Sequence, residues 1–283
     1  MKQGNSFLVS HWSCNIYILF IYLLRLSPAH FLTLYLFISN QLLYSPWSGN
    51  KVAPQTYTAL LSGCAVAEPC RWELALQLLR GMEAADGVRP NAVHYNACLT
   101  ALAHATGRNT KDEEQQGGGG DSGDRFEDAM EVLSEMREAG VAPDTYTFRA
   151  LLTARGRSGR WAVKRCLESG GGSGIGGAAA AAAVGSAEAA LELVDAMPAV
   201  GVKPNAYVYE AALEACCGAF DELRDEAAAA AAADGAAAAA AVDPVAMETL
   251  SRRVAQLIEA MRGDGYAPSD DTSTALRKHF VFP

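Results

Sequence analysis

The sequence predicts an all-α protein, a right-handed solenoid of helix-turn-helix repeats, from three observations. A short motif, whose most complete copy is G-V-A-P-D-T-Y-T-F-R-A-L-L, recurs along the chain. Its residues have the chemistry of a joint between two helices, and an apolar helical face precedes each full joint. Copies of the motif begin at Val52 (shortened), Gly87, Gly140, Gly201 and Gly265 (degraded). Five joints in one chain indicate a repeat array.

The order of residues in the motif explains how one helix ends and the next begins. Glycine readily adopts the left-handed conformation that ends a helix, and the proline three residues later prevents the helix from continuing. The Asn or Asp after this proline is a favourable N-cap, and an aromatic residue opens the next helix. The motif therefore predicts four helical hairpins followed by a terminal helix.

The helix before each full joint has apolar residues at helical spacing and ends in a methionine. The first of these faces is Trp72, Ala75, Leu76, Leu79 and Met82. Such a face predicts burial against a neighbouring helix. In the third unit a proline directly follows the methionine, at position 198, so we expect this helix to end early or to kink.

The repeats divide the chain into six segments. We expect a hydrophobic segment at 1–50, repeats at 51–91, 92–144, 145–205 and 206–269, and a partial repeat or capping helix at 270–283. Repeats two, three and four carry low-complexity insertions between their helices, at 109–124, 167–185 and 222–243. Their Gly-rich, acidic and poly-Ala runs offer no amphipathic face, so we expect them to be disordered and dispensable.

The first 50 residues differ in composition from the rest. Uncharged apolar runs cover residues 7–24 and 31–38, and Arg25 and Pro28 separate them. The first run is about long enough to span a bilayer, although polar residues weaken it. Three interpretations stay open: membrane contact through residues 7–38, an unusual targeting segment, and an incorrectly assigned start of the gene.

Acidic charge is concentrated in two stretches. The formal net charge is −9, of which residues 109–124 carry −4 and residues 218–244 carry −5, so the rest of the chain is about neutral. Residues 145–187 carry +5. This basic cluster predicts either contact with phosphate or cationic ends of helices that complement the helix dipole.

The sequence gives no catalytic or metal-binding constellation. The five histidines are scattered, the seven cysteines show no C-x-x-C spacing, and the Gly runs do not fit a phosphate loop. We therefore predict that the protein is not an enzyme, and we expect no cofactor and no metal.

The sequence of second helix, Met, Gly-Val-x-Pro-Asn/Asp and Tyr-led helix resembles the pentatricopeptide repeat. The Trp-Leu-Gly-Tyr signature of the tetratricopeptide repeat is absent. The resemblance covers roughly residues 52–276 without the insertions. It implies a concave surface, lined by the first helices, on which each repeat holds one base of single-stranded RNA.

The resemblance also implies which residues select the bases. The selective pairs would be Thr58 with Asn91, Asn96 with Asp144, Arg149 with Asn205, and Glu210 with Ser269. The side chains that sandwich the bases would be Val93, Tyr146 and Tyr207. The first pair implies adenine and the second uracil, whereas Arg149 and Glu210 depart from the usual residues and leave their bases undetermined. That the Asn and Asp members act only as helix caps stays open.

The resemblance favours one function and leaves an alternative from another class. The favoured function is sequence-preferring binding of single-stranded RNA in organellar RNA metabolism, in a mitochondrion or chloroplast. Other RNA-processing proteins would be further partners. The alternative is a scaffold for protein–protein interaction without RNA binding, which the net acidity of the chain favours.

Overall fold

The structure, a computed structural model, describes residues 53–68, 70–106, 124–168, 175–234 and 244–280. All regular secondary structure within these residues is helical, which confirms the predicted all-α class. The described helices are α1 (Pro54–Val66), α2 (Trp72–Asp86), α3 (Ala92–Ala105), α4 (Phe126–Glu138), α5 (Thr145–Glu168), α6 (Ile175–Ala196), α7 (Ala206–Asp234), α8 (Pro244–Gly263) and α9 (Asp270–His279). The chain forms two compact units that meet between Ala101 and Leu102, and each is described by itself.

The four full joints share one backbone geometry. Their glycines have φ angles of 67° to 84°, in the left-handed region, as the sequence predicts. The residue after each glycine donates its N–H to the carbonyl of the methionine near the end of the preceding helix, at 3.0 to 3.3 Å. This bond satisfies a carbonyl that the end of the helix leaves without a partner. The four methionines are fully buried: Met82, Met136, Met197 and Met261.

In the N-terminal unit, α1 and α2 form the first hairpin. Leu61 of α1 and Leu79 of α2 are buried in its core, as the apolar spacing predicts. The Tyr57 hydroxyl donates to Asp86 Oδ2 at 2.5 Å, just before the joint glycine. The same bond recurs in the fourth repeat, where the Tyr209 hydroxyl donates to Asp264 Oδ2 at 2.8 Å. In these two repeats a tyrosine of the first helix is therefore hydrogen-bonded to the C-terminal end of the second helix.

In the C-terminal unit, α5, α6 and α7 pack closely through small side chains. A Cβ atom at Gly156 would lie 2.9 Å from Ala215 Cα of α7, and one at Gly159 would lie 1.9 Å from Ser186 Oγ of α6. Both distances are far below van der Waals contact, so glycine is required at both positions. Gly185 of α6, by contrast, has open space around its Cα.

The expectation that the insertion in the third repeat, 167–185, is disordered is wrong over most of its length. Helix α5 extends to Glu168 and α6 begins at Ile175, so the poly-Ala run is helical. Ala179, Ala180 and Ala183 are buried in the core of the unit. Alanine needs no amphipathic contrast to pack, since its small side chain allows neighbouring helices to approach closely. The criterion of an apolar face therefore missed this helix.

The insertion in the fourth repeat, 222–243, is also partly helical, because α7 continues to Asp234. Alanine has the highest helix propensity, so the helix extends through this run. Residues 235–243, most of the insertion at 109–124 and the hydrophobic segment at 1–50 lie outside the described residues.

Two expectations about helix ends are resolved by the structure. Helix α6 ends at Ala196, five residues before Gly201, and a 3-10 turn at Pro198–Val200 follows. This confirms the early end that Pro198 predicts. The terminal helix α9 lies within the expected segment 270–283.

Candidate nucleic-acid interface

The second member of each predicted selective pair is a helix N-cap. The Oδ1 atoms of Asn91, Asp144 and Asn205, and the hydroxyl of Ser269, accept hydrogen bonds from backbone N–H groups in the first turn of the following helix, at 2.9 to 3.2 Å. The capping role is thereby confirmed. The additional role in selecting a base stays a prediction.

The third residue after the cap is buried in each of these four helices, a regularity that the sequence analysis missed. In two of them this residue also accepts the N–H of the cap itself. His94 Nδ1 accepts from Asn91 N at 3.1 Å, and Thr147 Oγ1 accepts from Asp144 N at 3.0 Å. These reciprocal bonds are the equivalent of a capping box, with His or Thr in place of Glu. They fix the start of the helix on which the neighbouring predicted site residues lie.

The three side chains predicted to sandwich bases are exposed. The exposed fractions are 54% for Val93, 66% for Tyr146 and 67% for Tyr207. Each lies two residues after a cap, in the first turn of a first helix, next to buried neighbours. Two tyrosines that are two-thirds exposed at equivalent positions of α5 and α7 offer aromatic faces to a ligand.

The first selective pair lies in the N-terminal unit. Thr58 is half-buried, and its hydroxyl donates to Pro54 O at 3.3 Å. That hydroxyl retains lone pairs that can accept a bond from a base. Asn91 uses its amide oxygen for the cap, and its amide nitrogen has no partner among the described residues. The pair therefore presents both an acceptor and a donor.

The second selective pair is divided between the two units. Asn96 lies in the N-terminal unit and is half-buried, and its carbonyl accepts from the Thr100 hydroxyl at 2.7 Å. Asp144 lies in the C-terminal unit, and its Oδ1 accepts from Tyr146 N and Thr147 N at 2.9 Å. The pairing of Asn96 with Asp144 stays a prediction.

The third selective pair lies beside an exposed ring. The guanidinium carbon of Arg149 lies 5.5 Å from the centroid of the Tyr207 ring, a cation–π contact. No carboxylate among the described residues pairs with this guanidinium. Asn205 uses Oδ1 to cap α7, and its amide nitrogen has no partner within the same residues. The side chains of Arg149 and Asn205 therefore offer unpaired donors beside an aromatic face.

The fourth selective pair is closed by its own hydrogen bonds. Glu210 Oε1 accepts from Ser269 N at 2.6 Å, and Oε2 accepts from the hydroxyls of Ser269 and Thr272 at 3.3 and 2.5 Å. The Glu210 carboxylate therefore reinforces the cap of α9. Asp271 occupies the position equivalent to the exposed tyrosines. A base at this position would have to break these bonds and would meet two acidic groups.

Two arginines of the basic cluster are used within the C-terminal unit. Arg157 Nη1 donates to the carbonyl of Ala103 near the end of α3, at 2.8 Å, as expected of a cation that complements a helix C-terminus. The guanidinium of Arg155 lies 5.1 Å from the centroid of the Phe126 ring. The interpretation as helix-end cations therefore holds for Arg157, and neither arginine needs a phosphate as its partner.

The C-terminal unit also contains a cleft of about 510 Å³ between α6, the start of α7 and α8. Two ion pairs line it, Lys203 with Asp264 and Arg253 with Asp195, both at 2.9 Å. The pKa of the Asp264 carboxyl is lowered by two hydrogen bonds. The bond from the Lys203 ammonium has the larger effect, and the bond from the Tyr209 hydroxyl has the next largest. Because the charges pair with one another, the cleft presents no excess of either sign to a ligand.

The described residues form neither a metal-binding cluster nor a membrane-spanning helix. These residues contain no cluster of three or more His, Cys, Asp or Glu side chains placed to hold a metal ion. None of their helices combines the length and the hydropathy needed to cross a bilayer. The predicted membrane contact of residues 7–38 lies outside them.

The recurring joints, buried methionines and capped first helices define a helical-hairpin repeat protein. The family model described as the pentatricopeptide repeat domain matches residues 49–105 and 122–158. These two stretches, about a third of the chain, are therefore similar to the pentatricopeptide repeat.

Comparison with individual proteins gives partial matches. The chain is 31% identical over 105 residues to pentatricopeptide repeat-containing protein 10, chloroplastic, of Zea mays, which is 37% of this chain and 10% of that protein. The chain thus spans about a tenth of the length of that curated relative.

Two solved structures are similar to the chain at low sequence identity and low TM-score. The pentatricopeptide repeat domain of Arabidopsis thaliana protein-only RNase P 1, solved in complex with tRNA, is 16% identical with a TM-score of 0.36, covering 79% of this chain and 96% of that one. The pentatricopeptide repeat protein PPR10 from maize is 15% identical with a TM-score of 0.30, covering 86% of this chain and 43% of that one. The fold assignment rests on the helices and joints of the chain itself.

Proposed function

We propose that this protein binds single-stranded RNA through the exposed first turns of its first helices and acts in organellar RNA metabolism. The observation that carries the proposal is the exposure of Tyr146 and Tyr207, at 66% and 67%, at equivalent positions of α5 and α7. Exposed aromatic rings provide faces on which unpaired bases stack. Val93 occupies the same position in α3 with a smaller apolar surface.

The contacts predict weak binding. Stacking on an aromatic side chain contributes about 1–3 kcal/mol per base, and association itself is costly. With three open positions, we expect dissociation constants on the order of micromolar at best. Three or four bases do not define one site among many transcripts, so we propose that further repeats or a partner RNA-processing protein add contacts. The maize relative supports this view, because the matched 105 residues are 37% of this chain but only 10% of that longer protein.

The selectivity that we propose differs between positions. Thr58 with Asn91 would favour adenine, and Asn96 with Asp144 would favour uracil, as the family resemblance implies. We do not include Glu210 and Ser269 as a reading pair, since their polar groups are occupied by each other and by Thr272. Exchanging Asn96→Thr is expected to shift the preference at the second base from uracil toward guanine. Unchanged RNA ranking would show that Asn96 does not read a base.

A salt titration tests the proposal against the alternative of a protein scaffold. Fluorescence anisotropy of labelled single-stranded RNA 12-mers would be measured with the full chain from low to physiological salt. RNA binding requires the logarithm of the association constant to fall with log salt by about 0.7 for each phosphate contacted. A double-stranded RNA of equal length is the control and should bind less tightly. Absence of binding to any single strand at low salt would contradict the proposal and favour the scaffold.

We also propose that the protein acts in a mitochondrion or chloroplast, which its chloroplastic maize relative supports. A fluorescent fusion at the C-terminus of the full chain should co-localise with one of these organelles. Uniform cytosolic fluorescence would contradict this part of the proposal.

A further inference from the structure

The third position of the array, where Arg149 of α5 faces Tyr207 of α7, has a chemistry unlike that of the others. The side chain of Arg149 offers donors only, since arginine has five N–H donors and no acceptor. The Asn205 oxygen accepts the cap bond from Val208 N, and its amide nitrogen adds a further donor. Within the described residues, the Arg149 guanidinium contacts the Tyr207 ring and no carboxylate.

We propose that this position is a guanine subsite, in which Arg149 reads the base edge beside the Tyr207 ring. The inference rests on the proposed RNA binding and extends it to a base that the family resemblance leaves undetermined. A reading side chain that offers only donors, as Arg149 does, is best matched by a base with adjacent acceptors. Guanine presents O6 and N7 together, and an arginine fork matches these two atoms with two parallel bonds.

The other bases fit the donors less well. Adenine places its amino donor beside N7, opposite the donors of Arg149. Uracil presents acceptors that are separated by an N–H donor. Cytosine has two adjacent acceptors, O2 and N3, but a smaller ring system to stack on the tyrosine. Guanine alone combines two adjacent acceptors with a purine face.

The geometry also explains why the guanidinium is available. A cation–π contact at an exposed ring is weak, so the guanidinium can remain beside the ring or turn to the base edge at small cost. Arg149 lies on a helix whose start is fixed by Asp144 and Thr147 through reciprocal bonds of 2.9 to 3.2 Å. The donor is therefore carried by a rigid element, which selectivity requires.

The subsite is tested with RNA 12-mers that carry A-U-X or X-U-A in an oligo-uridine background, where X is each of the four bases. With the full chain at low salt, we expect guanine at X to bind roughly 5- to 150-fold more tightly than adenine, the discrimination of one bidentate pair. Two variants separate the contributions. Arg149→Lys keeps the charge but removes the fork, so affinity for phosphate persists and the guanine preference disappears.

The second variant, Asn205→Asp, retains an oxygen that caps α7 and removes the amide donor, so the guanine preference should fall while thermal stability is kept. Arg137→Lys is the matched control, because Arg137 is exposed in the second helix α4 and belongs to no selective pair. It should leave the preference unchanged.

Several outcomes would overturn the subsite. RNA binding with equal affinity for all four bases at X, or with a preference for cytosine, would contradict the guanine assignment while leaving the proposed function standing. The same holds if Arg149→Lys keeps the guanine preference. If Arg149→Ala weakens binding equally for every X and reduces the salt dependence by about one phosphate, Arg149 contacts the backbone instead. Absence of binding to any RNA would overturn the proposed function and the subsite with it.

Discussion

The close approach of α5 to α6 predicts that a single methyl group at Gly159 destabilises the C-terminal unit. In a Gly159→Ala variant, the new Cβ would lie 1.9 Å from Ser186 Oγ and 2.5 Å from Ser186 Cβ. The hydroxyl can rotate away, but Cβ moves only with the backbone. Restoring a carbon–carbon contact of about 3.5 Å requires α6 to shift by about 1 Å.

The magnitude follows from comparison with Gly185→Ala. Both glycines lie inside helices, so each substitution gains about 1 kcal/mol of helix propensity. Gly185 has open space around it, whereas Gly159 does not. The propensity terms cancel in the difference, which leaves the cost of overpacking, about 1–3 kcal/mol. For a protein of this size, that difference corresponds to melting temperatures about 2–12 °C apart.

Thermal unfolding followed by circular dichroism at 222 nm, with both variants and the parent chain, measures this difference. A double variant, Gly159→Ala with Ser186→Gly, removes the atom that the new methyl group meets and should recover part of the loss. Equal melting temperatures for Gly159→Ala and Gly185→Ala would refute the packing described for α5 and α6. A double variant no more stable than Gly159→Ala would contradict the assignment of the clash to Ser186.

Three further predictions concern other parts of the chain. Ala183→Glu, which buries a charge, should lower the melting temperature, whereas Ala181→Glu on the exposed side of the same run should not; equal effects would show that the run does not pack. Burial raises the pKa of the Cys64 thiol to about 12, so at pH 8 this cysteine should react with a thiol reagent only after unfolding, and rapid labelling of Cys64 itself in the native chain would contradict its burial. The pKa of Asp264 is lowered from 3.8 by Lys203, so its contribution to stability is present above that value and is lost as the pH falls through the lowered value. Lys203→Met should therefore flatten the loss of stability that urea unfolding shows as the pH falls below 3.8, and an unchanged profile would refute the coupling.

The sequence predicted the joints well, because their chemistry is local. Glycine at a helix end, proline after it and an Asn or Asp cap act within a few residues, so the motif is sufficient to place them. The same locality predicted the early end of α6 at Pro198. The position of Tyr146 and Tyr207, two residues after a cap, likewise places them together with the joints.

The features that the sequence did not predict depend on contacts between distant residues. The packing of the poly-Ala helix requires Gly159 and other small residues from two further helices, and no periodic pattern in the run itself indicates this. The bond of Glu210 to Ser269 joins residues 59 positions apart. In both tyrosine–aspartate bonds the aspartate, Asp86 or Asp264, directly precedes the joint glycine. This recurring Asp-Gly dipeptide is the sequence signal that could have indicated the two bonds.

Binding of RNA by variants of the two exposed tyrosines tests the central claim most directly. Tyr146 and Tyr207 would be replaced together by alanine, and in a matched control together by phenylalanine, with circular dichroism to verify the fold. Since each lost stack costs about 1–3 kcal/mol, the alanine variant should bind single-stranded RNA at least about 30-fold more weakly. The phenylalanine variant retains both rings and should bind like the parent chain. If the folded alanine variant binds as tightly as the parent, the exposed rings do not hold bases, and the proposed interface is wrong.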